Sequence, residues 1–231
     1  MCYRTGLDVS YKGLFKGEPL KDYAVQCIKT KEYKICTKQL NDILVYTTLE
    51  LLKEAGSGGT KPIQFHTGLG DSDINLLRSN PAYLQPLIEQ YPTVPFVLLH
   101  SSYPYTREAG YLATVFRNVY LDIGEVFPML SRDGQVSVFR QSMELVPTSK
   151  LLWSTDGHLF PETYWLANKQ FREVLEEVRM SPLTFDADPA QWLAFHHDLQ
   201  FLSQLCFGSL GNRCNNVKRS SQINATPFFN F

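Results

Sequence analysis

Several familiar organising devices are missing from this sequence. Cysteine is scarce: Cys2, Cys27, Cys36, Cys206 and Cys214 are odd in number, irregular in spacing and never form a CxxC pair. A disulfide framework is excluded on that ground, and a reducing, cytoplasmic setting is expected. No apolar run is long enough to span a bilayer. The opening Met1-Cys2-Tyr3-Arg4 has none of the apolar stretch of a signal peptide, so no membrane partner is expected. Charge of one sign is missing too. The 22 basic and 23 acidic residues leave a net charge of −1, so no global field draws in nucleic acid. Lys218-Arg219 is too short a basic pair to change that.

What is present is ordinary globular material, 231 residues of which 44% are hydrophobic and 19% charged. That is enough for one domain with a real core. It lies near the lower end for a (β/α)8 barrel, which takes about 250 residues. Four short apolar runs stop at polar or glycine punctuation: Ile63-Gln64-Phe65-His66, Phe96-Val97-Leu98-Leu99-His100, Val119-Tyr120-Leu121-Asp122-Ile123 and Leu151-Leu152-Trp153-Ser154-Thr155-Asp156. Near-continuous apolar runs are expected of parallel strands covered on both faces. Helical spacing is predicted over 39–55, with Leu40, Ile43, Leu44, Thr47 and Leu51 on one stripe, and over 81–90, 106–116 and 136–145. The clearest amphipathic helix is predicted over 162–178, with Trp165, Phe171, Leu175 and Val178 as core contacts. Another is predicted over 189–205. Alternation of this kind implies a parallel sheet with crossover helices.

In parallel α/β folds, chemistry collects where strands end at their carboxyl side. Three of the four runs end in a side chain that can bind a metal: His66, His100 and Asp156. They are expected to converge at one end of the sheet. Two histidines and a carboxylate suit Zn2+, Mn2+ or Fe2+ with positions left for water, and a metal lowers the pKa of its water toward ~7. Bland alternatives stand beside this reading. A strand-end histidine is often only a hydrogen-bonding group, Asp156 could cap the next helix, and His158 could be the working histidine instead.

At these residues the chain resembles a known family. Lys61-Pro62-Ile63-Gln64-Phe65-His66-Thr67-Gly68-Leu69-Gly70-Asp71 is similar to the fifth-strand signature of the amidohydrolase-related (amidohydrolase 2) family. Leu98-Leu99-His100-Ser101-Ser102-Tyr103-Pro104 resembles its sixth strand, Val119-Tyr120-Leu121-Asp122-Ile123-Gly124 its seventh, and Leu152-Trp153-Ser154-Thr155-Asp156-Gly157-His158 its eighth. Within the family the likeness is to the amidohydrolase portion of FluG-type and nodulin–glutamine-synthetase-like proteins, and it covers residues 1–205.

The resemblance implies an α/β, (β/α)8 TIM-barrel-like metal-dependent hydrolase fold, here incomplete with strands four to eight only. It implies one divalent metal ion, Zn2+ or Mn2+. His66 would be a ligand, His100 a ligand or metal-proximal catalytic group, and Asp156 both ligand and catalytic base. Substrate-binding candidates are Arg4 at the fourth strand's end, Gly70 and Asp71 in the loop after His66, and Tyr103 and Arg107 after His100. Arg4 could equally be a surface residue and Arg107 part of a solvated helix. Asp122 and Glu125 are expected to be structural. One departure stands out: the family's first-strand His-x-His pair occurs nowhere in the chain, and the adjacent His196-His197 would diverge by about 100° on a helix. The expectation is a partial barrel over 1–207 lacking strands one to three, an irregular tail over 208–231, and weak metal binding. The reaction implied is hydrolysis of a C–N bond in a small-molecule substrate. Decarboxylation or isomerisation on the same fold, or a degenerate regulatory or interaction protein, are the alternatives. Self-association is left open.

Overall fold

The computed structural model describes residues 25, 28–31, 38–55, 61–70 and 74–179. Arg4, Asp71, the helix expected over 189–205 and the tail over 208–231 lie outside the described residues.

The described chain runs α1 (Lys38–Glu54), β1 (Ile63–Phe65), α2 (Gln85–Gln90), β2 (Phe96–Leu98), α3 (Thr106–Val115), β3 (Val119–Asp122), α4 (Val126–Met129), α5 (Arg132–Met143), β4 (Leu151–Leu152) and α6 (Pro161–Arg179). The four strands form one sheet in the order β1-β2-β3-β4, every pair parallel. Phe65 lies beside Leu98, Leu98 beside Leu121, and Leu121 beside Leu151. Doubly wound sheets reverse their strand order at a switch point, whereas barrels keep sequential order. The parallel sheet is the one that the strand grammar implies, and its sequential order is that of the α/β, partial (β/α)8 barrel that the family resemblance implies.

Strand alternation sorts the side chains into two layers. Phe65, Phe96, Leu98, Val119, Leu121 and Leu151 join the helices in the main core. Val97, Leu99 and Leu152, with Tyr120 against them, make a smaller apolar cluster on the other face. Both faces are covered at β2, β3 and β4, which is why those strands read as apolar runs, whereas Gln64 of β1 is exposed.

Helix details depart from the periodicity in instructive ways. Among the described side chains of α1, those over 41–54, Asn41, Asp42, Val45 and Leu49 are buried, while Thr47 is exposed and Leu51 is 61% exposed; Leu40 lies outside them. The buried stripe is thus rotated from the predicted one. With Ile43, Leu44, Val45, Leu49, Leu51 and Leu52 spread around the helix, spacing alone could not choose the phase. Residues 81–84 form a 3-10 turn ahead of α2 rather than part of one helix, and Asn80 Oδ1 accepts from Ala82 N at 2.9 Å. α5 begins at Arg132 because Ser131 Oγ accepts from Gly134 N at 3.3 Å. That cap extends the helix through a polar stretch with no apolar period.

α6 buries Phe171, Leu175 and Val178 as expected, but Trp165 is 65% exposed. Trp165 lies on the solvent side, where Lys169 Nζ sits 5.2 Å from its ring, an exposed cation–π contact. Phe171 is the packing hub. Its ring stacks on Trp153 at 4.7 Å and meets Phe127 and Phe139 edge-on at 5.2 and 6.1 Å. Phe171→Ala is predicted to cost about 3–5 kcal/mol. Trp165→Ala should change stability by less than about 0.5 kcal/mol. Urea denaturation of both variants checks this ranking.

Candidate metal centre

The carboxyl ends of three strands deliver the principal groups. His66 follows β1 directly, His100 comes two residues after β2, and Asp156 lies on the loop after β4. His100 Nε2 is 3.3 Å from His66 Nδ1, with the ring centroids 4.7 Å apart. The same Nε2 is 4.0 Å from Asp156 Oδ2. Two nitrogens each bound to a tetrahedral Zn2+ lie about 3.3 Å apart, so the pair already stands at ligand–ligand spacing. The donor set of two imidazoles and a carboxylate suits a borderline divalent ion, and the residues present fit that group.

The backbone is forced into position here. His100, Ser101 and Ser102 have φ of 60°, 53° and 51°, Glu125 has 58° and Asp156 has 47°. Left-handed backbone at a non-glycine residue costs of order 1–3 kcal/mol, so the surroundings must hold it. Ser102 Oγ and Thr67 Oγ1 are hydrogen-bonded at 2.6 Å, and Ser102 N donates to Leu99 O at 2.9 Å. Gly68, at φ 68°, lets the β1 loop pass so close to the turn that a Cβ there would strike the Ser102 and Tyr103 carbonyls. Below the turn, Asp122 Oδ2 accepts from Gly124 N at 3.1 Å, Ser154 Oγ at 3.4 Å and His100 N at 3.5 Å.

Burial dominates the electrostatics. His100 is 2% exposed, and desolvation lowers its pKa to about 4. Asp156 opposes that shift and His66 adds to it. Desolvation raises Asp122 to about 7, against hydrogen bonds from Gly124, His100 and Ser154 that favour the carboxylate.

Glu125 is the residue that sequence reading assigned to structure alone. Its Oε2 lies 3.5 Å from His100 Nδ1, and His100, Glu125 and Asp156 offer ligand atoms all within 4.8 Å of one another. The available signal was its place three residues beyond Asp122 at a strand's carboxyl end, but an isolated Gly-Glu pair carries no spacing pattern. Asp122, also expected to be structural, turns its Oδ2 to loop backbone and Ser154.

The other candidates are placed unevenly. Gly70 is close enough to His66 that a Cβ there would sit 3.8 Å from its Nδ1. Tyr103 follows the His100 turn and is partly exposed. Arg107 is not brought to the cluster. Its guanidinium makes a bidentate pair with Glu144 at 3.0 and 2.9 Å, in a groove shared with Asp133, Arg140 and Glu177. As a helix residue directed to α5, it belongs to the solvated-helix alternative. His158 is also outside the cluster, its Nδ1 3.0 Å from Asp156 O within its own loop.

In metal-free protein the His100 ring is predicted to titrate near pH 4 rather than near 6.5. The unfolded chain then takes up this proton first, so the group favours unfolding as pH falls from about 6.5 to about 4. NMR titration of the ring protons checks this, and a midpoint at 6.5 would contradict it.

Comparison with known proteins identifies the family. The amidohydrolase family profile matches residues 33–194. Protein fluG of Emericella nidulans is 61% identical over 182 residues, 77% of this chain but 21% of that protein. A crystal structure of a Lactobacillus casei protein assigned as a metal-dependent hydrolase superposes with a TM-score of 0.67 at 32% identity, covering 77% of this chain and 46% of that one. A TIM-barrel protein from Bordetella bronchiseptica gives a TM-score of 0.45 at 18% identity, covering 68% and 49%, a likeness too distant to carry an argument. The chain thus spans about a fifth of the length of the curated relative it matches. With the family profile matching most of the chain and a relative 61% identical over 77% of it, the chain belongs to the amidohydrolase family.

Proposed function

We propose that His66, His100 and Asp156 form one side of a mononuclear divalent-metal site, for Zn2+ or Mn2+, in a hydrolase acting on a C–N, amide-like bond of a small molecule. The observation that carries this is the 3.3 Å approach of His100 Nε2 to His66 Nδ1, with Asp156 Oδ2 4.0 Å away. When bound, such an ion supplies a Lewis acid and an activated water.

The chain's own residues do the rest. His66 and His100 present ring nitrogens from two adjacent strands. Asp156 accepts a proton at its carboxylate and returns it to the leaving nitrogen, a general base then acid. Its side chain is 44% exposed, so it can reach a substrate. The His100 backbone amide donates to Asp122 Oδ2 at 3.5 Å, and a fixed turn limits the reorganisation left for the reaction. Gly70 lets backbone approach beside His66, and Tyr103 is the aromatic group nearest in sequence to the His100 turn. A partial barrel over 1–207 in a cytoplasmic protein, with 208–231 outside the barrel, belongs to the same reading.

A second reading has one specific observation behind it. The chain contains no His-x-His pair, and two fewer donors mean weaker binding. A non-catalytic protein on the same fold would show metal binding without turnover.

The test is equilibrium dialysis with Zn2+ and Mn2+ on wild type, His66→Ala and Asp156→Ala, alongside assays on a panel of amides and lactones. Wild type should bind one ion. Each substitution should weaken binding at least about tenfold and abolish any turnover. Binding by both variants at wild-type affinity would refute the assigned ligands.

A further inference from the structure

We propose that Glu125 is a positioning residue that holds His100 as its Nδ1–H tautomer and so keeps the Nε2 lone pair facing His66 and Asp156. This rests on the reading of His100 as a metal ligand.

The two nitrogens of His100 face different neighbours. Nε2 lies 3.3 Å from His66 Nδ1 and 4.0 Å from Asp156 Oδ2, whereas Nδ1 lies 3.5 Å from Glu125 Oε2. Lone pairs on the two nitrogens of one imidazole diverge, so a single ion cannot take both. An imidazole that offers a lone pair at one nitrogen carries its hydrogen on the other, and a buried hydrogen needs an acceptor. The His100 side chain is 3% exposed, which leaves the protein to supply that acceptor. A carboxylate behind a ligating histidine fixes both tautomer and ring angle. The 3.5 Å separation is longer than a formed hydrogen bond, and such contacts tighten when a site is loaded.

Glu125 is built to stay where it is. Its backbone sits at φ 58° and ψ −33°, a conformation that non-glycine residues avoid. Asp122 Oδ2 accepts from Gly124 N at 3.1 Å and fixes the residue just before it. The loop after β3 therefore grips His100 twice, Asp122 at its backbone N–H and Glu125 at its ring. The competing role is direct ligation, since Glu125, His100 and Asp156 could converge on one ion.

The first measurement needs no substitution and no metal. Long-range 1H–15N correlation on the wild-type apo chain should show His100 protonated at Nδ1, and an Nε2–H tautomer overturns the proposal. The second compares zinc affinities. Glu125→Gln keeps an acceptor oxygen and should bind within about threefold of wild type. Glu125→Met removes the acceptor, should mix the tautomers and should bind about 10–100-fold more weakly. If E125Q loses as much affinity as E125M, Glu125 is a ligand and the proposal fails. It fails equally if E125M keeps the wild-type tautomer and affinity. If wild type binds no zinc, the proposed function fails by itself, and the apo tautomer still decides this proposal.

Discussion

Asp122 has no exposed surface, yet its Oδ2 gathers donors from the ends of three neighbouring strands: the amide of His100 after β2, the amide of Gly124 after β3 and the hydroxyl of Ser154 after β4. A buried carboxylate without such partners would be expensive, and one that is well paired stiffens what it touches. The same oxygen also sets how closely the loops may pass. A side chain at Gly124 would strike Ser154 Oγ and come within 2.8 Å of Asp122 Oδ2. This junction works with the Thr67–Ser102 and Ser102–Leu99 hydrogen bonds to hold the left-handed His100 turn beside His66 and Asp156. Burial raises the Asp122 pKa while the donors oppose it, so the junction stands on a balance of two large effects.

The positions of the four strands were legible because parallel strands covered on both faces must be apolar throughout. Their carboxyl ends were legible because each run stops at a polar or glycine residue. The same reasoning brings His66, His100 and Asp156 to one end of the sheet, where the structure has them. Helix phase was not legible wherever apolar residues surround the helix, so α1 buries Val45 and Leu49 while Leu51 faces outward. Trp165 misled for a related reason: its hydrophobic bulk suits a core, but Lys169 gives it a surface role. Glu125 was illegible because its importance depends on a left-handed backbone after β3, and a single glutamate after a glycine does not announce that. Arg107 looked suited to a pocket by its place after His100, and only the position of Glu144 at the C-terminal end of α5 shows where its guanidinium goes.

The family is shown by the chain's likeness to known proteins, whereas the substrate is expected to be chosen by the loops around the strand ends. The described sheet has four parallel strands, and His66, His100 and Asp156 lie beyond the carboxyl ends of three of them. This is consistent with a chain that covers 46% of a full structural relative. Chemistry on such a scaffold follows the residues at the site rather than the fold, which is why the 3.3 Å imidazole pair carries more weight here than the topology.

The central claim, that strand ends bring two imidazoles and a carboxylate to one ion, is tested most directly by X-ray absorption at the zinc edge of the zinc-loaded chain. The account predicts a first shell of nitrogen and oxygen alone, at about 2.0–2.2 Å, with outer-shell scattering from two imidazole rings. Sulfur at about 2.3 Å, drawn from any of the five cysteines, or scattering from fewer than two rings, would contradict it.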